Sequence, residues 1–135
     1  GAALVAAAHA QGLRVVPLVG PSSLLLALMA SGMNGQRFEF HGYLPAKPEA
    51  RATAVRALEA ASRSHRAAQL FIETPYRNVA MLETLVATLA PVTRLCVAVD
   101  LTLPTESVVT RPAREWRGHD GSAYAKRPAI FLIEA

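Results

Sequence analysis

A chain of 135 residues with 52% hydrophobic and 18% charged residues is about one domain long and too apolar for disorder. No apolar stretch reaches the roughly 18 uncharged residues of a membrane span, so the chain reads as soluble with no membrane partner. Fourteen basic residues against ten acidic ones leave a net charge of +4, which permits an anionic partner but is too mild to identify nucleic acid.

In chain order, "GAALVAAAHAQGL" reads as the middle and end of a helix stopped by Gly12. "RVVPLV" (14–19) reads as a short strand, confined by Pro17 to an edge or an irregular segment. Pro21 suits the first turn of a helix that runs to about Ala30 and ends at Gly32, with Ser22 or Ser23 able to cap it. "RFEFHGYL" (37–44) alternates as a strand does, and a helix follows from about Pro48 to His65. Its apolar stripe is Ala50, Ala54, Val55, Leu58 and Ala61, with Arg56 and Arg63 opposite. Lys47 and Arg51 sit at its start.

Strand 67–74, a helix over 75–90 opened by a proline, and strands 94–102, 106–111 and 128–135 complete the series. The expected fold is α/β: a mixed sheet of about five strands flanked by helices. Cys96, alone in "RLCVAVDL", reads as a buried structural thiol; no disulfide framework is available, and a reducing, cytoplasmic location fits. His9, His41, His65 and His119 have no metal-ligand spacing, so no metal site is expected.

Three corners where a strand runs into a helix could carry chemistry, because ligands of open α/β sheets collect at the carboxyl ends of strands. Gly20-Pro21-Ser22-Ser23 is a helix cap or one wall of a ligand site. Tyr43 to Lys47 leads to Lys47 and Arg51, which are surface charges or contacts to an anionic substrate such as phosphate. Glu73 to Arg77 is an ordinary ion pair around a helix start, or a site in which Arg77 also meets substrate. Asp100 ends a buried strand, where it caps the next turn or reaches a ligand. None of these forms a Ser-His-Asp set, a Walker loop or a nicotinamide fingerprint.

Taken together, "GLRVVPLVGPSSLLLALMASGM", "FHGYLPAKPEAR", "LFIETPYRNVAMLETL" and "AVDLTLPTESVVT" resemble, in order and spacing, the C-terminal half of the tetrapyrrole methylase superfamily. These are S-adenosylmethionine-dependent methyltransferases, and the resemblance is nearest to the branch that methylates a ribose 2′-hydroxyl of small-subunit ribosomal RNA. Val19 stands where that branch has proline, and Tyr76 where it has histidine. The resemblance implies that residues 1–12 are the tail of a helix from an interdomain region. Residues 13–135 would form the C-terminal domain, with a glycine-rich N-terminal domain lying ahead of them.

By the same resemblance, S-adenosyl-L-methionine would lie in the cleft between the two domains. It would meet Ser22, Ser23, Glu73, Leu101, Pro128 and Ala129, and Lys47, Arg51 and Arg77 would face the substrate. Methyl transfer is an in-line displacement on an already activated carbon, so such a protein mainly positions its reactants and excludes water. Glu73, Asp100 and Tyr76 are the groups available to take a proton, and none is assigned as catalytic. The methyl acceptor implied is ribosomal RNA or a tetrapyrrole-like small molecule. The reading set against it is a non-catalytic basic RNA-binding module built on Lys47, Arg51, Arg56, Arg63 and Arg66. Apolar runs such as "SLLLALMA" also predict a homodimer.

Overall fold

The computed structural model of the chain describes residues 1–135. Its elements are α1 (Ala2–Ala10), α2 (Ser23–Ser31), β1 (Phe38–Tyr43), α3 (Pro48–His65), β2 (Ala68–Glu73), α4 (Asn78–Thr88), β3 (Arg94–Val99), β4 (Ser107–Pro112) and β5 (Ala129–Glu134). A single 3-10 turn, Pro75–Arg77, opens α4, and two more, Ala113–Trp116 and Gly121–Tyr124, fill the connection before β5. No helix is long and apolar enough to cross a membrane.

The strands form one five-stranded sheet in the order β1-β2-β5-β3-β4. β1 and β2 are parallel, while β5 runs antiparallel to both β2 and β3, and β4 antiparallel to β3. The sheet is therefore mixed: β1 and β2, joined through α3, run parallel, and the strands that end the chain without an intervening α-helix add the antiparallel pairs. Strand periodicity divides the core between its faces. Phe71, Leu95, Val97, Val99, Phe131 and Ile133 pack beneath α3 and α4 with Val55, Leu58, Met81 and Leu85. Leu70, Cys96, Ala98, Ile130 and Leu132 face the other way, beneath Ala27 and Leu28 of α2. The Phe71 and Phe131 rings stack at 5.8 Å across the β2–β5 pair. Burial of each such ring contributes about 1.5–3 kcal/mol.

The α3–α4 face is the thicker one. Trp116 closes it, buried, with its indole N–H donating to the Leu95 carbonyl. On the other face α2 is a single short helix, and Leu25 and Met29 remain 50% and 73% exposed. Cys96 is fully buried, and burial pushes its thiol pKa up, as suits a structural thiol.

Several local expectations change. Residues 14–19 are not a strand: no element spans them, and Leu18 and Val19 are 92% and 107% exposed. Pro17 removes a ladder donor, and both sheet edges belong to other segments, β1 and β4. Pro21 lies outside α2: Ser22 is the N-cap, and its hydroxyl makes no capping hydrogen bond.

The α3 stripe is also shifted. Arg51, Val55, Leu58 and Ser62 are its buried residues, whereas Ala50 is exposed. β3 stops at Val99 because Asp100 turns into the left-handed region at φ 51°. Gly12 ends α1 as expected. At φ 68° it lets Leu13 N–H reach the Ala8 carbonyl and its own N–H the His9 carbonyl, a paired C-terminal lock. α1 itself buries no residue.

Candidate functional site

The carboxyl ends of β1, β2 and β3 and the amino end of β5 lie at one end of the sheet, as the parallel and antiparallel pairings dictate. A cavity of about 330 Å³ opens there. Ser23, Tyr43, Glu73, Asp100, Leu101, Pro128 and Ala129 are among the residues lining it. Segments far apart in the chain thus converge because their strand exits do.

Tyr43 reaches the cavity through a bulge. Phe40 pairs with Leu70, but Tyr43 pairs with Ile72, so two residues of β1 oppose one of β2. Gly42, at φ 64°, supplies the left-handed step this requires. Without the extra residue Tyr43 would fall on the α3–α4 face. With it, Tyr43 shares the α2 face with Phe40, Leu70 and Ile72, beside Ser23.

Glu73 ends β2 with its side chain wholly buried. Its Oε1 accepts hydrogen bonds from Thr74 N–H at 2.6 Å and from Arg77 Nε and Nη2 at 2.9 and 2.8 Å. The bond to Glu73, more than the charge alone, pushes the Arg77 pKa further up. Glu73 Oε2 is buried with no hydrogen-bond partner. A buried carboxylate oxygen left unpaired is costly, and a ligand N–H or O–H would satisfy it.

Asp100, 8% exposed, lines the opposite side. Its Oδ2 accepts from Thr105 Oγ1 and from Arg127 Nε, each at 2.8 Å. The Thr105 hydroxyl first, and Arg127 second, hold this carboxyl below the usual carboxylate range. It therefore caps its own turn and lines the cavity at once.

The sequence-based residues separate into groups. Ser23, Glu73, Leu101, Pro128 and Ala129 come together in the cavity, while Ser22 stays outside it as the α2 N-cap. Arg77 reaches the site only through Glu73. Lys47 is the exposed N-cap of α3 and does not line the cavity. Tyr76 is 83% exposed and also stays outside.

Arg51 is a correction. It is 5% exposed, donating from Nε to Thr84 Oγ1 at 2.9 Å, and so ties α3 to α4 instead of pointing at a substrate. Its stripe position, one turn before Val55, outweighs its charge. Sequence reading named the Tyr43 to Lys47 corner without giving Tyr43 a role, and it missed Asn78 and Arg127. Gly42 preceding an aromatic residue is the one local signal, of a bulge, that could have found Tyr43.

The chain is 36% identical over 134 residues to the ribosomal RNA small subunit methyltransferase I of Escherichia coli O157:H7, covering 97% of this chain and 45% of that protein. The enzyme of the same name from Mesorhizobium japonicum is 36% identical, with 98% of this chain and 44% of that protein covered. Over nearly its whole length the chain is thus similar to part of the ribosomal RNA small subunit methyltransferases I. The fold agrees: the crystal structure of the methyltransferase CobJ superposes with a TM-score of 0.58 at 21% identity, covering 98% of this chain and 57% of that one.

The chain spans less than half the length of the curated relatives it matches. No protein-family model matches it. The buried state of Arg51 also removes one of the cations on which the basic RNA-binding module rested.

Proposed function

We propose that the chain supplies one wall of the cofactor and substrate cleft of a cytoplasmic, S-adenosyl-L-methionine-dependent methyltransferase whose acceptor is ribosomal RNA, the substrate class printed in its relatives' names. The observation that carries this reading is the convergence of Ser23, Glu73, Leu101, Pro128 and Ala129 on one cavity of about 330 Å³. That volume is at the lower end of small-molecule sites, which suits a wall completed by residues outside 1–135.

The cavity's chemistry fits a nucleoside. Leu101, Pro128 and Ala129 offer apolar surface for a flat ring, and the buried, unpaired Glu73 Oε2 is an acceptor that a ribose hydroxyl or an amine would satisfy. The two carboxylates, Glu73 and Asp100, leave no unpaired cation to oppose a sulfonium: Arg77 and Arg127 are each bonded to one of them. The cofactor, when bound, supplies the activated methyl group. The chain's own residues orient it and exclude water.

Lys47, exposed at the α3 start, remains the candidate contact to an RNA phosphate. The exposed Leu25 and Met29 on α2 support a homodimer that buries this face, and twice the protomer mass in light scattering is expected. The test of function uses the full-length protein. Calorimetric titration with S-adenosylhomocysteine is expected to show one site per protomer, and methyl transfer from labelled cofactor is expected to small-subunit ribosomal RNA. No binding overturns the cofactor reading. Binding with transfer only to a tetrapyrrole overturns the acceptor.

A further inference from the structure

Arg127 does not line the cavity, yet its guanidinium reaches three acceptors on two segments beside it. Nε donates to Asp100 Oδ2 at 2.8 Å, Nη1 to the Ala123 carbonyl at 3.0 Å, and Nη2 to the Thr105 carbonyl. The loop after β3 carries Leu101 and Leu103 into the cavity, and the loop before β5 carries Pro128. One side chain therefore ties together the two loops that form facing parts of the lining. Asp100 N–H donating to the Pro128 carbonyl at 3.1 Å adds a backbone bond between the same loops.

The backbone at this point is held away from its preferences. Asp100 and Thr102 have φ of 51° and 72°, and Lys126 has φ of 60°. A β-branched residue such as Thr102 rarely adopts the left-handed region, so its loop relaxes unless its surroundings hold it. Glu106 Oε2, accepting from Thr102 N–H at 2.6 Å, is one holder. Beneath the second loop, buried Asn78 donates from Nδ2 to the Tyr124 and Arg127 carbonyls at 2.9 and 2.6 Å, so Arg127 is itself anchored on α4.

We propose that Arg127 is a positioning residue of the cleft. Acting through Asp100 and Thr105, it holds the strained 100–106 loop against the 124–128 loop, so that the ligand-facing wall made by Leu101, Leu103 and Pro128 exists before a ligand arrives. The proposal rests on the nucleoside-cofactor reading above for the identity of the ligand, but not for the clamp itself. Arginine suits the task because a planar fork of donors can serve three acceptors in fixed directions, which a lysine ammonium on a flexible stem does not. A wall built in advance spares the ligand the cost of ordering it.

Two measurements on the full-length protein separate the clamp from the cofactor reading. The first is amide hydrogen exchange over residues 101–106 in the unliganded protein. The second is calorimetric affinity for S-adenosylhomocysteine. Arg127→Gln is expected to speed exchange in that loop about tenfold while leaving β2 and β3 protected, and to weaken binding about tenfold, the worth of a charge-assisted hydrogen bond. Asp100→Asn combined with Arg127→Gln is expected to be no weaker than the poorer single variant, since both break one unit.

Unchanged exchange at 101–106 in a folded Arg127→Gln protein overturns the proposal, and so does exchange that quickens evenly through the sheet. If Arg127→Gln does not fold, Thr105→Val takes its place: Thr105 is exposed, and loss of its hydroxyl is expected to speed loop exchange about threefold, with no change overturning the clamp. If the wild-type protein fails to bind S-adenosylhomocysteine, the cofactor reading falls and the exchange result alone decides the clamp.

Discussion

Two carboxylate–arginine pairs flank the cavity, and they are built differently. Glu73 and Arg77 are four residues apart, at the end of β2 and in the turn that opens α4, and their bond is local. Asp100 and Arg127 are separated along the chain by 27 residues and meet only because β3 and β5 are antiparallel neighbours. The local pair spends both guanidinium bonds on one oxygen and leaves the buried Glu73 Oε2 without a partner. The distant pair spreads one guanidinium over three acceptors, which stabilises loops. The same two residue types thus prepare an acceptor on one side and a scaffold on the other.

The largest expected effect strikes both pairs at once. Phe131→Ala removes the ring stacked on Phe71 in the strand that neighbours both β2 and β3, and should cost about 3–5 kcal/mol in chemical denaturation. A much smaller loss would mean that the two sides of the cavity do not share one core. Next, Glu73→Gln keeps the shape but can place an amide nitrogen where the unpaired Oε2 would accept from a ligand, so affinity for S-adenosylhomocysteine should fall about tenfold. Arg77→Gln should weaken it less than about threefold, because Thr74 still donates to Glu73 and the Arg77 side chain is 41% exposed. Equal losses from Arg77→Gln and Arg127→Gln would erase the contrast between local and distant pairs.

Acid sharpens the comparison further. Asp100 has its folded pKa lowered, so its contribution to stability is present above the ordinary carboxylate range and disappears as pH falls through the lowered value. The melting-temperature gap between wild type and Asp100→Asn should therefore be widest near about pH 7 and narrow only as the pH falls below the ordinary carboxylate range. A gap that widens in acid would show the pair to be wired otherwise. The smallest effect is expected at Val19→Ser: this side chain is 107% exposed, and the change should stay within about 0.5 kcal/mol by denaturation of this chain.

The Glu73–Arg77 pair beside the cavity was legible because its signal is local. Glu73 and Arg77 stand at i and i+4 beside a proline that opens a helix, and the structure forms that ion pair. Leu101, Pro128 and Ala129 were named by the family resemblance and by no local signal; they line one cavity because the strands that flank them share a sheet. The 14–19 segment misled because valines describe fitness for a pleated surface, not the presence of a free edge to pair with. Arg51 misled because charge suggests exposure, whereas its place in the buried stripe put the guanidinium within reach of Thr84 on another helix.

Periodicity, turn residues and apolar runs, all set within a few residues, pointed on their own to the five strands, the helices between them and the corners at strand ends, and also to a strand over 14–19 that does not form. Tertiary structure alone decided the strand order, the Gly42 bulge that turns Tyr43 to the α2 face, and the meeting of Asp100 with Arg127. The physical reason is range. A helix turn or a strand pleat is fixed by neighbours along the chain, but a hydrogen bond across 27 residues exists only after the sheet has brought its two ends together.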